Sequence, residues 1–223
     1  NIEIDLDNRK IAGYVDFHAW AINDFTELQF DLAKNMVLNE VNYKGKTLSY
    51  VREEDAVFVV FPAVAAGTQF QFRVTYHGEP VEAKRPPWDG GFVWEKDKAD
   101  RDFVAVACEG DGASLWWPCK DHPTEEPDSM AINITVPSDI MCVANGKLRE
   151  KVETDVKTTY KWFVTKPINN YNVSVNIANY AVIADTIHSV TGIQPATYYV
   201  LDYNEAVARE HFKEARDMMR SLE

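Results

Sequence analysis

The sequence predicts a mainly β protein, an antiparallel β-sheet or sandwich domain followed by one amphipathic helix at the C-terminus. Through about residue 185, short runs alternate between apolar and polar residues, and turn-forming residues separate the runs. A period of two is expected for antiparallel strands that bury one face and leave the other in water. After residue 204 the apolar residues recur every three or four positions, which is the period of a helix.

Five segments show the strand period most clearly. Many short strands at this spacing favour a sandwich or an open, curved β-architecture. Asn145-Gly146 lies between two apolar runs and predicts a hairpin, because this dipeptide suits a tight hairpin turn. The residues predicted to face inward are Leu28, Phe30 and Leu32; Phe70, Phe72, Val74 and Tyr76; Ile132, Ile134 and Val136; Tyr160, Trp162 and Val164; and Val173, Val175 and Ile177.

Residues 84–98 differ from the rest of the chain. Two adjacent prolines, Pro86 and Pro87, lie near the start of this segment, and proline cannot donate a hydrogen bond to a sheet ladder. The sequence therefore predicts a structured loop here, with Trp88 as its aromatic anchor.

The C-terminal segment 205–222 has the pattern of an amphipathic helix. Asn204 is predicted to be its N-cap, and Glu205 suits the positive end of the helix dipole. Two interpretations stay open: the helix packs back on the sheets, or it is the first helix of a second domain. Its apolar positions are Ala208, Phe212, Ala215, Met219 and Leu222.

The chain of 223 residues is acidic, with 35 Asp and Glu against 23 Lys and Arg and a formal net charge of −12. This balance repels phosphate backbones and anionic lipids, and it therefore argues against nucleic acid and membranes as partners. No apolar run reaches the roughly eighteen residues that a membrane-spanning helix needs. The charge suits a peptide with a positive amino end, although many globular proteins are equally acidic.

The three cysteines, Cys108, Cys119 and Cys142, have neither the spacing of a metal site nor that of a disulfide framework. One disulfide is possible, but reduced and buried thiols are the favoured prediction. The chain begins at Asn1 without an initiator methionine, which is expected of a processed or trimmed sequence.

The motifs of a complete enzyme are not found in the sequence. None of the histidines is followed by glutamate, so the zinc motif H-E-x-x-H is absent, as are a nucleophile elbow, a Walker loop and a dinucleotide fingerprint. Two adjacent tryptophans, a proline and a cysteine indicate a buried segment of fixed conformation between residues 107 and 123. Within it, Asp121-His122-Pro123 predicts a turn whose carboxylate accepts local backbone hydrogen bonds, because no nucleophile accompanies the Asp-His pair.

Four landmarks in order along the chain resemble the N-terminal domain of the aminopeptidase N family of zinc metallo-aminopeptidases. Residues 118–123 match the P-C-x-D-x-P signature of that domain. Residues 86–92 (Pro-Pro-Trp-Asp-Gly-Gly-Phe) are similar to a bacterial branch of the family, and residues 128–145 to the strand and hairpin that follow the signature. Residues 198–222 resemble the family's entry into its catalytic domain, so the similarity covers essentially the whole chain.

The resemblance implies a saddle-like β-domain over residues 1–185, followed over residues 186–223 by a linker strand and the first helix leading into a thermolysin-like catalytic domain. In the family, the zinc motif and the G-x-M-E-N exopeptidase motif lie beyond the point that corresponds to residue 223. The resemblance therefore implies zinc in the parent protein and none in this chain. It also implies two partners, the chain's own catalytic domain and the amino end of a peptide substrate, and it implies that this chain alone is inactive.

The same resemblance singles out Glu109 as a substrate-binding residue and leaves the chain without a catalytic one. The family's N-terminal domain contributes one Gln or Glu to the active site, ten residues before the signature cysteine, and here that residue is Glu109. A carboxylate is a suitable partner for a substrate α-ammonium in a partly dry cleft. Fixing the amino end would select which peptide bond meets the zinc.

Two alternatives stay open. Glu109 could be an ordinary exposed loop acid, and Ala107 departs from the Gln that many relatives have at that position. The chain could instead be a free-standing β-sandwich module that binds a glycan or a protein partner. Its tryptophans would then form a carbohydrate platform, although clustered tryptophans are more often core or interface anchors. These tryptophans are Trp88, Trp94, Trp116 and Trp117.

Overall fold

A computed structural model describes residues 1–190 and 192–222. Its strands are β1 (Ile2–Asp5), β2 (Lys10–Trp20), β3 (Phe25–Asp31), β4 (Met36–Tyr43), β5 (Lys46–Thr47), β6 (Tyr50–Glu53), β7 (Ala56–Val64), β8 (Gln69–Gly78), β9 (Gly91–Lys96), β10 (Asp102–Ala107), β11 (Met130–Pro137), β12 (Met141–Ala144), β13 (Lys147–Glu153), β14 (Lys157–Val164), β15 (Val175–Ala178), β16 (Tyr180–Ser189) and β17 (Gly192–Leu201). The helices are α1 (Glu205–His211) and α2 (Ala215–Leu222). The prediction of a mainly β protein with a C-terminal helix is confirmed.

The strands form one large sheet and three smaller ones. The large sheet has eight strands in the order β13-β14-β11-β1-β2-β8-β4-β5, in which β1 and β11 run parallel. A four-stranded sheet has the order β12-β15-β10-β9, and a three-stranded sheet has the order β3-β7-β6. Strands β16 and β17 pair as a two-stranded ribbon.

Two of the small sheets pack against the inner face of the large one. Phe61 of the three-stranded sheet meets Phe72 of the large sheet edge to face, with ring centroids 5.4 Å apart, and Phe72 stacks on Phe17 at 4.6 Å. On the other side, the indole Nε1 of Trp162 donates to the carbonyl of Cys142 in the four-stranded sheet at 3.3 Å. One continuous hydrophobic core therefore lies between the layers.

Along β8 and β11, the alternating apolar residues face the core, as the sequence predicts. Phe70, Phe72, Val74 and Tyr76 are buried along β8, and the residues between them face solvent or are half-buried. The same holds for Ile132, Ile134 and Val136 along β11. Alternation was informative here because each strand belongs to an antiparallel pair with only one buried face.

The hairpin predicted at Asn145-Gly146 is wrong, because the strands before and after it belong to different sheets. Strand β12 pairs with β15, whereas β13 pairs with β14. The side chain of Asn145 donates to the carbonyl of Asn172 at 3.0 Å and accepts the N–H of Ser174 at 2.7 Å. Gly146 has φ +88°, and a Cβ there would lie 2.3 Å from the carbonyl oxygen of Phe163. The side chain of Asn145 therefore connects the segment between β12 and β13 to residues 172–174. Gly146 allows the same segment to lie close to the backbone of Phe163.

The loop predicted over residues 84–98 is only partly correct. Residues 91–96 form strand β9, which pairs along its whole length with β10. Phe92 and Trp94 are buried in the core, so the alternation of apolar and polar residues resumes at Phe92. Trp88 does not anchor the loop, because 82% of its surface is exposed.

The C-terminal helix lies on the β16–β17 ribbon, and its role as the first helix of a second domain stays a prediction. The rings of Phe212 and Tyr198 stack with centroids 4.5 Å apart. A 3₁₀ turn at Phe212–Glu214 separates α1 from α2, so the predicted helix is not continuous. The side chain of Asn204 makes no capping bond, because a preceding 3₁₀ turn, Asp202–Asn204, already gives that residue helical dihedral angles.

The domain boundary predicted after residue 185 falls inside β16. The division into residues 1–185 and 186–223 stays a prediction. In the described part of the chain, the helices lack the length and apolar character that crossing a membrane requires.

Candidate functional site

Glu109 lies in the loop that leaves strand β10 at Ala107 and leads to a short 3₁₀ turn, Ala113–Leu115. Its side chain is exposed. Within residues 1–190 and 192–222, its carboxylate has no hydrogen-bond or ion-pair partner. A free carboxylate on the loop that follows β10 can accept hydrogen bonds from a cationic ligand.

The loop around Glu109 is closed by bonds at its base. The N–H of Gly112 donates to the carbonyl of Cys108 at 2.8 Å, so the chain turns back on itself around Glu109. The carboxylate of Asp121 then accepts the N–H groups of Ser114 at 2.9 Å and Ala113 at 3.2 Å. These contacts fix the backbone on the C-terminal side of Glu109.

A bond from the β3 strand completes this support. The N–H of Asp121 donates to a carboxylate oxygen of Asp31 at 3.0 Å. Asp31 also exchanges both backbone bonds with Cys119, at 2.7 and 3.1 Å. The predicted role of Asp121 in accepting backbone bonds is confirmed, but the donors lie seven and eight residues earlier instead of within its own turn.

A second loop, residues 85–90, touches the Glu109 loop. The N–H of Gly90 donates to the carboxylate of Asp111 at 2.5 Å. Within the second loop, the Arg85 guanidinium makes two bonds to Asp89, at 3.0 and 2.9 Å. These bonds hold the pKa of the Asp89 carboxyl below its usual value.

The layer beneath the two loops is apolar. Trp116 and Trp117 are buried, and Trp116 meets Phe92 edge to face with centroids 5.8 Å apart. Cys108 and Cys119 are buried free thiols, as predicted, and so is Cys142. Burial raises the pKa of the Cys108 thiol to about 11, so this cysteine is neutral at physiological pH.

Two of the candidate features from the sequence do not form sites. His122 Nδ1 lies 2.8 Å from the hydroxyl of Thr124 and accepts the N–H of the same residue at 3.3 Å, which is the contact of a local turn. The carbohydrate platform would need exposed rings, but Trp94, Trp116 and Trp117 lie in the core. Of the four tryptophans proposed for it, Trp88 alone presents its ring to solvent.

Comparison with known proteins finds similar structures but no matching sequence family. No family model and no curated protein matches this chain. An M1 zinc metallopeptidase from Deinococcus radiodurans is similar with a TM-score of 0.72 at 18% identity, over 85% of this chain and 42% of that chain. A variant of it bound to a Tyr-Ser-Ala substrate gives 0.73 at 18% identity, over 86% and 43%. Leukotriene A4 hydrolase from Saccharomyces cerevisiae gives 0.65 at 17% identity, over 91% and 30%.

These likenesses show the fold. The chain has the β-fold found in M1 zinc metallopeptidases, which confirms at the level of fold the resemblance seen in the sequence. It spans less than half the length of the Deinococcus enzyme.

The described residues offer no ligand set for a zinc ion. In the part of the chain that the structure describes, no group of three or more His, Cys, Asp or Glu side chains is placed to hold a metal. No chemical step on this chain is therefore routed through a metal.

The contacts that hold Glu109 were not visible in the sequence. Asp111 and Gly90 are 21 residues apart and meet only when the two loops fold together. The two pairs of glycines, Gly90 with Gly91 and Gly110 with Gly112, were the available signal, because glycine is common where two backbones approach closely.

Proposed function

We propose that this chain is the N-terminal domain of a zinc aminopeptidase of the aminopeptidase N family. In this proposal the parent protein removes the first residue of a peptide, and the zinc and the catalytic residues belong to its catalytic domain. The fold shared with M1 zinc metallopeptidases supports the class of protein.

Glu109 is proposed to bind the substrate's α-ammonium. The observation that carries this is an exposed carboxylate without a partner in the described residues, on a loop closed by the Gly112–Cys108 bond. A loop whose backbone is already closed loses less entropy when its side chain binds a cation than an open loop does. Holding the amino end fixes the distance from it to the first peptide bond, which is catalysis by positioning.

The test compares Glu109→Gln and Glu109→Ala in the full-length enzyme on a leucine p-nitroanilide. Both variants are expected to raise KM and to lower kcat, because a charged hydrogen bond is worth about 1.5–3 kcal/mol. The matched control is Glu53→Gln, which removes an exposed carboxylate on strand β6 and should leave kcat and KM unchanged. Wild-type kinetics in both Glu109 variants would remove Glu109 from the site.

The chain alone is proposed to be inactive and to bind no zinc stoichiometrically. Purified chain is assayed with the same anilide and its zinc content is measured after dialysis. Robust hydrolysis that persists after purification to homogeneity would contradict the proposal that the chemistry lies in another domain.

A further inference from the structure

Trp88 is the feature that the proposed function leaves unexplained. Its indole is 82% exposed at the end of the 85–90 loop, and it stacks on no other ring in residues 1–190 and 192–222. Tryptophan is highly buried on average, because it is the side chain with the largest apolar surface. A tryptophan held in water on a folded loop is therefore a candidate contact for a ligand.

The loop holds Trp88 in a defined position. The N–H of Trp88 donates to the carbonyl of Arg85 at 2.9 Å. The Arg85–Asp89 ion pair closes the loop around it, with two bonds at 3.0 and 2.9 Å. An aromatic ring on a closed loop loses less entropy on binding than one on an open segment.

Trp88 also lies beside the Glu109 loop. The N–H of Gly90 bonds to Asp111, and the carbonyl oxygen of Trp88 is 4.0 Å from the place that a Cβ on Gly110 would occupy. Gly110 directly follows Glu109. The indole and the free carboxylate therefore belong to two loops in direct contact.

Within the 85–90 loop, the charges next to Trp88 are paired with each other. Within residues 85–90, the guanidinium of Arg85 and the carboxylate of Asp89 neutralise each other. The nearby carboxylate of Asp111 is engaged by the N–H of Gly90. Asp111 keeps its negative charge when it accepts this neutral N–H. The 85–90 loop therefore offers an indole beside a neutralised ion pair, and the negative charges next to it belong to Asp111 and Glu109.

We propose that Trp88 is a specificity-determining residue that contacts an apolar side chain on the first residue of the substrate. The proposal rests on the proposed function, since a peptide must bind with its amino end beside the Glu109 loop for its first side chain to reach Trp88. Burial of an aromatic or branched aliphatic side chain against the indole removes apolar surface from water on both partners. A substrate that begins with alanine gains little from this contact.

The test measures kcat and KM of the full-length enzyme on phenylalanine, leucine and alanine p-nitroanilides. Trp88→Ala is expected to raise KM about tenfold for the phenylalanine and leucine substrates, in the range that hydrophobic pockets discriminate, and less than about twofold for alanine. Trp88→Phe should restore most of the preference because it keeps an aromatic face. Trp20→Ala is the matched control, because Trp20 is also exposed, at 66%, but lies on strand β2.

The results separate this proposal from the one it rests on. Equal effects of Trp88→Ala on all three substrates, or no effect on any, would overturn the role of Trp88. If Glu109→Gln has wild-type kinetics while Trp88→Ala still changes the preference, the role of Glu109 fails and that of Trp88 stands. Because Trp88 is exposed, Trp88→Ala should keep the wild-type Tm, and a lower Tm with uniformly lower activity would count against a direct contact.

Discussion

The carboxylate of Asp121 fills the space that a side chain on Gly112 would need. Its Oδ2 lies 2.2 Å from the position of a Cβ on residue 112, where φ is +92°. The same carboxylate accepts backbone bonds from Ala113 and Ser114. Gly112 and Asp121 together therefore set the path of the chain just after Glu109.

Replacement of Gly112 by alanine should destabilise the chain by about 2–3 kcal/mol. About 1 kcal/mol comes from the positive φ, and the rest comes from displacing Asp121 from its two backbone bonds. Urea unfolding, monitored by tryptophan fluorescence, should show this loss as a lower urea concentration at the midpoint of unfolding.

The matched control for this prediction is Gly110→Ala in the same loop. A Cβ on Gly110 meets one neighbouring atom, the Trp88 carbonyl oxygen at 4.0 Å, which is ordinary contact. Its free energy of unfolding should therefore stay within about 0.5 kcal/mol of wild type. If the two variants lost equal free energy of unfolding, any added side chain would destabilise this loop, and the contact between residue 112 and Asp121 would not explain the effect.

Asn145 should contribute to stability through its contacts with residues 172 and 174. Asn145→Ala removes two hydrogen bonds and leaves the N–H of Ser174 and the carbonyl of Asn172 without this partner, at a cost of about 1–3 kcal/mol. Asn145→Asp keeps the acceptor for Ser174 but loses the donor to Asn172, so its loss should be smaller. Urea unfolding of both variants gives the order, and an aspartate variant as unstable as the alanine one would contradict it.

The alternation of buried and exposed residues along β8 could be predicted from the sequence, because it depends only on which face of the strand packs against the neighbouring layer. The sequence did not predict to which sheet each strand belongs. Strands β12 and β13 are separated by only Asn145 and Gly146, yet they enter different sheets. That choice is made by strands β14 and β15, which come later in the chain, so the local turn residues do not encode it.

The candidate site shows the same limit. The position of Glu109 came from its spacing to Cys119 in a family resemblance, and its role stays a proposal. The bond between Gly90 and Asp111 and the exposure of Trp88 depend on how two loops meet. Trp88 was predicted to be an anchor because tryptophan is normally buried, and that average does not hold at this loop.

The three cysteines should be unreactive in the folded chain. Burial raises the pKa of Cys108 to about 11 and raises the pKa values of Cys119 and Cys142 well above that of a free thiol. At pH 8 roughly one Cys108 thiol in a thousand is ionised, and the thiolate is the reactive form. A chromogenic disulfide should label less than one thiol per native chain and three in guanidinium chloride. Rapid labelling of the native chain would show that a thiol is accessible.

Arg101 joins the β9–β10 turn to the start of the C-terminal segment. Its guanidinium bonds to Asp97 at 2.8 Å and to both carboxylate oxygens of Asp202 at 2.6 Å. The hydrogen bonds from Arg101 hold the pKa of Asp202 below its ordinary value of 3.8. The pair therefore stabilises the fold above about pH 3.8, and this contribution is lost as the pH falls through the lowered pKa.

Asp202→Asn should lower the Tm at pH 7, because the bidentate pair with Arg101 is weakened. The difference in Tm between wild type and variant should stay constant from pH 7 to about 5 and shrink towards pH 3, since Asp202 of the unfolded wild-type chain takes up a proton near its ordinary pKa of 3.8 while the folded chain, with its lowered pKa, resists protonation. Asp155→Asn is the matched control, because the Asp155 carboxylate is exposed and has no partner among the described residues, and its Tm difference should be small at every pH. Scanning calorimetry across this pH range measures both series. A Tm difference for Asp202→Asn that stays constant down to pH 3 would mean that the Arg101–Asp202 pair does not contribute to folding stability through charge.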